Sequence, residues 1–396
     1  MKSLLHAWVA EYRSIFTDPG VILLMVGSVV FYSFFYPLPY RNEVLRDIPV
    51  AVVDADASQL SRKLIRMLDA TENIGVISKP TDFEAARAAF FHRDIFGIVV
   101  IPENFSRKIL AGAQARIAVY ADAGYFFVYR QTLKGALQAV GTLAAQIEVR
   151  RMTGQGIPMA QAISRRDPVP ALMRPLFNPS GGYASYVVPA VFILVLQQTL
   201  LLGIGMRYGT DVEFAAPVAT LQGTLATLLG RAGAYLSIYL VNAAYYLWIV
   251  PRMYTYPGHG NLVHLLMFTV PFLLSVIFLG QWIALFFNRR ETSMMVLVFT
   301  SVPILFLAGF SWPSEAMPAG LRFFSLFLPS TAGIEGLLKL NQMGATLADV
   351  KFYWGVLWGL AAVYFVMACI FAYRMRTTGV VAKGCQQTMN GSGRHR

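Results

Sequence analysis

Residues able to do chemistry are sparse in this chain, and their types narrow what it can do. Asp54 and Asp56 flank one alanine just after an apolar run, a spacing that could offer two carboxylates to a metal ion. Acidic residues at a strand-to-helix turn more commonly shape the turn and cap the next helix, since their oxygens accept from free backbone N–H groups. His259 and His264 have no Cys, Asp or Glu at zinc-ligand spacing beside them, so they read as interfacial polar residues. No Gly-x-x-x-x-Gly-Lys-Ser/Thr loop occurs, and residues 223–231 are of the wrong types to cradle phosphates. ATP hydrolysis by this chain alone is therefore not expected, and no metal is.

The other polar residues of interest lie inside long uncharged stretches: Gln197, Gln198, Asn242 and Gln281. In hydrocarbon such groups are costly to leave unpaired. They either line a substrate path or hydrogen-bond between helices, and both readings stand. Gly355 and Gly359, one helical turn apart, permit close helix contact, within the chain or between chains. The stretches hold no carboxylate pair and no His/Ser arrangement, which ranks an intramembrane enzyme last.

The elements that must position these residues follow from charge. Six windows lack Asp, Glu, Lys and Arg: residues 19–40, 175–206, 232–251, 253–288, 292–314 and 352–373. Each reaches the length of about 20 residues that spans a hydrocarbon core. Backbone groups find no partner in lipid, so each window must close its hydrogen bonds internally as helix. Hydrophobic residues make up 56% of the chain and charged residues 14%, against the roughly 25% typical of soluble domains. The net charge of +12 is scattered, with many Lys and Arg at the ends of windows, which suits a membrane surface and not a nucleic acid.

Short-loop charge orients the spans. Arg13, Arg207, Arg231, Arg289, Arg290 and the tail arginines fall on one side, which predicts both termini in the cytoplasm. No small-x-small cleavage site follows the first window, so a retained anchor is expected. The block between the first two windows contains neither of the two cysteines, Cys369 and Cys385, and must hold itself by its core. It reads as α/β, with strands near 48–53, 73–78, 96–101 and 116–121 and helices near 58–70 and 82–92. Leu133, Leu137, Val140, Ala144 and Ile147 mark a further long helix, and residues 158–175 a proline-rich return. The expected fold is an α-helical polytopic membrane protein with six transmembrane helices and an extracytoplasmic α/β domain inserted between helices 1 and 2. Its parts are an interfacial helix at 1–20, helix 1 at 21–38, the inserted domain at 39–176, helices 2–6 at 177–373 and a tail at 374–396. Leu4, Leu5, Trp8, Tyr12, Ile15 and Phe16 form the apolar stripe of the first helix, with Lys2, Glu11 and Ser14 set elsewhere.

One span, a polar domain and five further spans resemble the permease subunit of type-2 ATP-binding-cassette exporters, in the bacterial branch with a large external domain. Glu11 with Asp18 and Pro19 resembles that family's interfacial helix and acidic-proline step, and residues 48–70 resemble the opening of its external domain. Phe177-Asn178-Pro179, Tyr186-Val187-Val188-Pro189 and Leu196-Gln197-Gln198 resemble the lead into its second span. Trp312-Pro313, Met317-Pro318, Pro329 and Gly344 resemble its proline-punctuated external segment.

The resemblance implies a permease in a bacterial inner (plasma) membrane that is not itself an enzyme. It would work by alternating access, with ATP and Mg on a separate cytoplasmic ATPase dimer. A second permease subunit, identical or sibling, is implied, and a periplasmic adaptor is a further candidate partner. Glu11 and Asp18, with Asp211 and Glu213 of a coupling segment at 209–229, are the ATPase-coupling candidates; that segment is less charged than the family's common pattern. Residues 312–350 would form an external gate, with Pro313, Pro318 and Pro329 as gate candidates. Span centres without fixed charge suit a hydrophobic or amphipathic substrate, drug-like or lipid-like. The competing reading is a membrane-anchored receptor or binding module with an external ligand-sensing domain, but six spans and no long cytoplasmic segment argue against it.

Overall fold

A computed structural model describes residues 2–172, 174–213 and 221–377. They form two compact units, Met1–Glu43 with Pro175–Arg396, and Val44–Arg174. The first unit opens with helix α1 (Lys2–Thr17).

The second unit runs β1 (Ile48–Asp54), α2 (Gln59–Asp69), β2 (Ile74–Ser78), α3 (Phe83–Phe91), β3 (Gly97–Ile101), α4 (Phe105–Leu110), β4 (Ala118–Ala121), α5 (Phe126–Gly154) and α6 (Met159–Arg166). The sheet order is β2-β1-β3-β4, with β1 parallel to both neighbours and β4 antiparallel to β3. Alternate residues of β1 feed two cores. Val50 and Val52 meet Leu64, Leu68, Ala136 and Leu143, while Ala51 and Val53 meet Ala86, Ile95 and Ile98. Burial on both faces explains why β1 and β3 are continuous apolar runs. Ser58 and Ser61 cap α2 reciprocally. Asp54 accepts from the N–H groups of Asp56 and Ala57 and from the Ser61 hydroxyl, and Asp56 accepts from Ser106 N–H. Both aspartates are thus engaged as turn and capping groups. Two helices depart from the sequence reading: α4, too short to show a period, and α6, which lies in the stretch read as a proline-rich return. Pro158 stands just before α6, where its missing N–H costs nothing.

Among the described residues the first unit holds six helices long and apolar enough to cross a membrane, numbered as spans one to six: Pro19–Tyr40, Tyr183–Thr210, Gly223–Met253, Leu262–Ala284, Arg290–Leu307 and Lys351–Arg374. The most apolar window of span two is 78% buried and that of span five 11%, so span two is central and span five peripheral. Span three begins before the uncharged window that announced it, and Arg231 lies inside the helix. A charge so placed requires protein partners. Spans one and three each contain a π-helical turn, Leu23–Gly27 and Tyr245–Ile249. Such turns interrupt the regular ladder. Around them Asn242 Nδ2 donates to the Met25 carbonyl at 2.9 Å and the Tyr246 hydroxyl to the Val29 carbonyl at 2.7 Å.

After span five come α7 (Ala319–Ser325) and α8 (Pro329–Gln342), bent against each other by 84°. Pro318 precedes the first residue of α7 and Pro329 is the first of α8, so the prolines set where each helix starts. At Gly333 and Gly336 an added Cβ would lie 2.5 and 2.0 Å from the rings of Phe272 and Phe268, so these glycines let α8 close on span four.

Candidate functional site

The site forms where α1 meets the spans. Ile15 is fully buried, Trp8 and Tyr12 are half-buried, and Leu5, Val9 and Phe16 are exposed on the opposite side. At Gly230 in span three an added Cβ would lie 2.7 Å from Ala7 Cβ and 2.8 Å from the Leu4 carbonyl, so glycine permits the close crossing. The Tyr12 and Ser237 hydroxyls hydrogen-bond across it.

Glu11 corrects the sequence reading. It is 2% exposed and lies on the buried face, three residues after Trp8 and four before Ile15. Arg231 Nε stands 3.1 Å and Arg207 Nε 3.8 Å from its carboxylate, and the Tyr235 hydroxyl donates to it at 2.5 Å. The Arg231 guanidinium also lies over the Tyr208 ring, 4.7 Å from its centroid. A buried carboxylate is sustainable only with such compensation.

Asp18 makes the second charged contact. Its carboxylate accepts from the N–H groups of Gly20 and Val21 at 2.9 and 3.2 Å, capping span one, and takes a two-point contact from Arg290 at 2.9 and 3.0 Å. Burial pushes this carboxyl up, but the Arg290 guanidinium and the two N–H groups outweigh that and hold it below the ordinary carboxylate value. Asp211 and Glu213 end the helix Tyr183–Glu213, but their side chains lie outside the described residues, as do residues 214–220.

The polar residues of the spans divide. Asn242 ties span three to span one, and Gln281 Nε2 donates to the Leu228 carbonyl at 3.1 Å, so both make interhelical bonds. Gln197 is fully buried and Gln198 half-buried, and neither amide has a hydrogen-bond partner among the described residues. Pro313 begins the short 3-10 turn Ser314–Ala316 that leads to α7. Nothing lies within 4 Å of a Cβ added at Gly355 or Gly359, so neither packs against another helix of this chain among the described residues.

A third carboxylate closes the opposite end of the span bundle. Glu43 accepts from the Ser185 hydroxyl at 2.9 Å and Ser185 N–H at 3.3 Å, and its carbonyl accepts from Tyr183 N–H at 3.0 Å. Glycine at 182 leaves room for this arrangement, because an added Cβ would lie 1.6 Å from the Glu43 carboxylate and push it aside. Burial, then the Glu43 charge, push the nearby Tyr256 hydroxyl up.

Sequence reasoning missed Arg207, Arg231 and Arg290 as partners, having counted them only as loop charges. The available signal was Glu11 itself, since an acid sharing a helix face with Trp8 and Ile15 demands a cation.

The profile of the ABC-2 family transporter protein matches residues 19–370. The linearmycin resistance permease protein LnrN of Bacillus subtilis (strain 168) is 23% identical over 390 residues, covering 92% of this chain and 98% of that protein. The inner membrane transport permease YhhJ of Escherichia coli (strain K12) is 22% identical over 394 residues, 96% of this chain and 99% of its own.

Proposed function

The chain belongs to the ABC-2 family of transporter proteins and is a permease subunit, and from that premise we propose that it exports a hydrophobic or amphipathic substrate by alternating access. Membership brings an ATP-binding ATPase subunit as partner, and hydrolysis, with its ATP and Mg, is assigned to a cytoplasmic dimer of that partner. In this reading both termini are cytoplasmic, residues 44–174 lie outside the membrane where an adaptor can reach them, and a second permease subunit completes the path.

One observation carries the mechanism. Arg207 and Arg231 flank the coupling segment 209–229 on its two sides, and both converge on Glu11. A push by the ATPase on that segment displaces both guanidiniums, and α1 must follow. Motion of α1 reaches Asp18, and its pairing with Arg290 passes the motion to spans one and five. The unpaired amides of Gln197 and Gln198 are the groups proposed to meet a polar part of the substrate as the spans part, and α7 and α8 are the proposed gate. The Bacillus relative is named for resistance to linearmycin, which supports a drug-like or lipid-like substrate here.

The test is reconstitution with the ATPase in proteoliposomes. Glu11→Gln keeps the shape and drops the charge; the ATPase should remain docked while substrate-stimulated hydrolysis falls about tenfold, a coupling loss of ordinary size. Full stimulation in that variant, or none with the unaltered chain, sinks the mechanism.

A further inference from the structure

The cations of α2 gather on one exposed face. Its first turn contains no acidic residue, and Arg62 and Arg66, four residues apart, share one face. Arg62 near the N-terminus opposes the macrodipole, whereas Arg66 in the last turn complements it, and like charges at this spacing repel. Arg150 of α5 comes to the same place, so that Arg62, Lys63, Arg66 and Arg150, with Gln59 and Leu60, line an open groove of about 410 Å³.

The local acids are committed elsewhere. Asp69 accepts from the Val76 N–H at 2.9 Å, and Glu148 faces Arg166 at 3.9 Å. Lys63 donates to Gln146 Oε1 at 2.5 Å. Among the described residues none of the four cations enters an ion pair. Arg62, Arg66 and Arg150 are exposed and belong to neither core of this unit, so packing does not account for them.

We infer that this groove binds a phosphate-bearing anion, either free or as the headgroup of a lipid. Three guanidiniums present planar donor forks matched to phosphate oxygens, and the anion relieves their mutual repulsion. The volume suits a headgroup, whereas a protein partner needs a face of about 800 Å². Leu60 is the one apolar wall, so an acyl chain stays outside the groove. The inference does not draw on the transport reading.

The full-length chain in phosphatidylcholine nanodiscs is titrated with inorganic pyrophosphate and with short-chain phosphatidic acid, read by calorimetry. At least one probe should bind, and Arg62→Glu combined with Arg66→Glu should weaken it about tenfold or more, as loss of charge-assisted bonds implies. Lys134→Glu, about 24 Å from Arg150 along α5, should change nothing. Binding of pyrophosphate alone assigns a soluble phosphate compound, and tighter binding of phosphatidic acid assigns a headgroup. No binding of either probe overturns the inference, as does an equal loss in Lys134→Glu or undiminished binding in the double variant. Capture of an acidic protein through Arg62 and Arg66, with neither probe bound, also overturns it. If the double variant melts early, Arg66→Gln is read by the same criteria.

Discussion

Carboxylates close both ends of the span bundle, but they are held by opposite kinds of partner. At the α1 end Glu11 and Asp18 meet the guanidiniums of Arg207, Arg231 and Arg290, drawn from spans two, three and five. At the other end Glu43 meets a hydroxyl and N–H groups from the start of span two, and no ion pair to it occurs among the described residues. A charge shared by several helices makes their positions interdependent, whereas Glu43 ties the end of span one to the start of span two alone. On the proposed mechanism the first end transmits displacement and the second holds geometry.

Removing Glu11 should break this contrast most severely. Glu11→Ala leaves two poorly exposed guanidiniums facing each other, and a loss of about 3 kcal/mol is expected from the cost of unpairing buried charge. Thermal unfolding of the purified chain reads it, and a shift no larger than that of Glu43→Gln would erase the distinction between the ends. Gly182→Ala drives the Glu43 carboxylate off Ser185 and should cost about 1.5 kcal/mol, the scale of lost hydrogen bonds; ATPase stimulation should persist, because this end holds geometry only. Between the ends, Gln197→Leu should raise stability by about 1 kcal/mol, since an unpaired buried amide is replaced by an apolar group. If Gln197 serves the substrate, transport falls as the melting temperature rises; unchanged transport would remove it from the path.

The smallest effect concerns Asp18. Asp18→Asn keeps the cap but drops the charge against Arg290, and about 0.5 kcal/mol is expected for a partly exposed pair. The sign with pH follows from the lowered carboxyl. Its stabilising share is complete above the ordinary carboxylate value of 3.8 and is lost as pH falls through the still lower folded value. Melting measured from pH 6 downward should therefore show a steeper acid decline in the parent than in Asp18→Asn, and parallel curves would mean that the Arg290 contact contributes nothing.

Much of the architecture was readable because it depends on near neighbours. Uncharged windows announce spans, since lipid leaves the backbone no alternative, and the runs at residues 48–53 and 96–101 announce strands because both their faces are buried. Asp54 and Asp56 were legible as turn residues for the same local reason. Glu11 was not, because its partners Arg207, Arg231 and Tyr235 lie some two hundred residues away and only the fold brings them in. Arg231 misled twice over, making the apparent span start late and passing for a loop charge. Helix α6 was hidden by the prolines around it, which mark a boundary without saying what lies beyond. The unpaired state of Gln197, against the bonded state of Asn242, is a matter of which carbonyl stands opposite, and composition carries no trace of that.

The hydrogen bond from Tyr183 N–H to the Glu43 carbonyl has a consequence for how the gene can be edited. It brings the residues that bound the stretch 44–182, Glu43 and Tyr183, to within 3.0 Å of each other. A chain shortened by that whole stretch could be sealed with a tight turn of a few residues, in the manner of a hairpin. Deleting the stretch, or exchanging it for a reporter protein, is expected to leave the two ends within splicing distance, and failure of the shortened chain to fold would show that the bundle needs more of it than this one hydrogen bond.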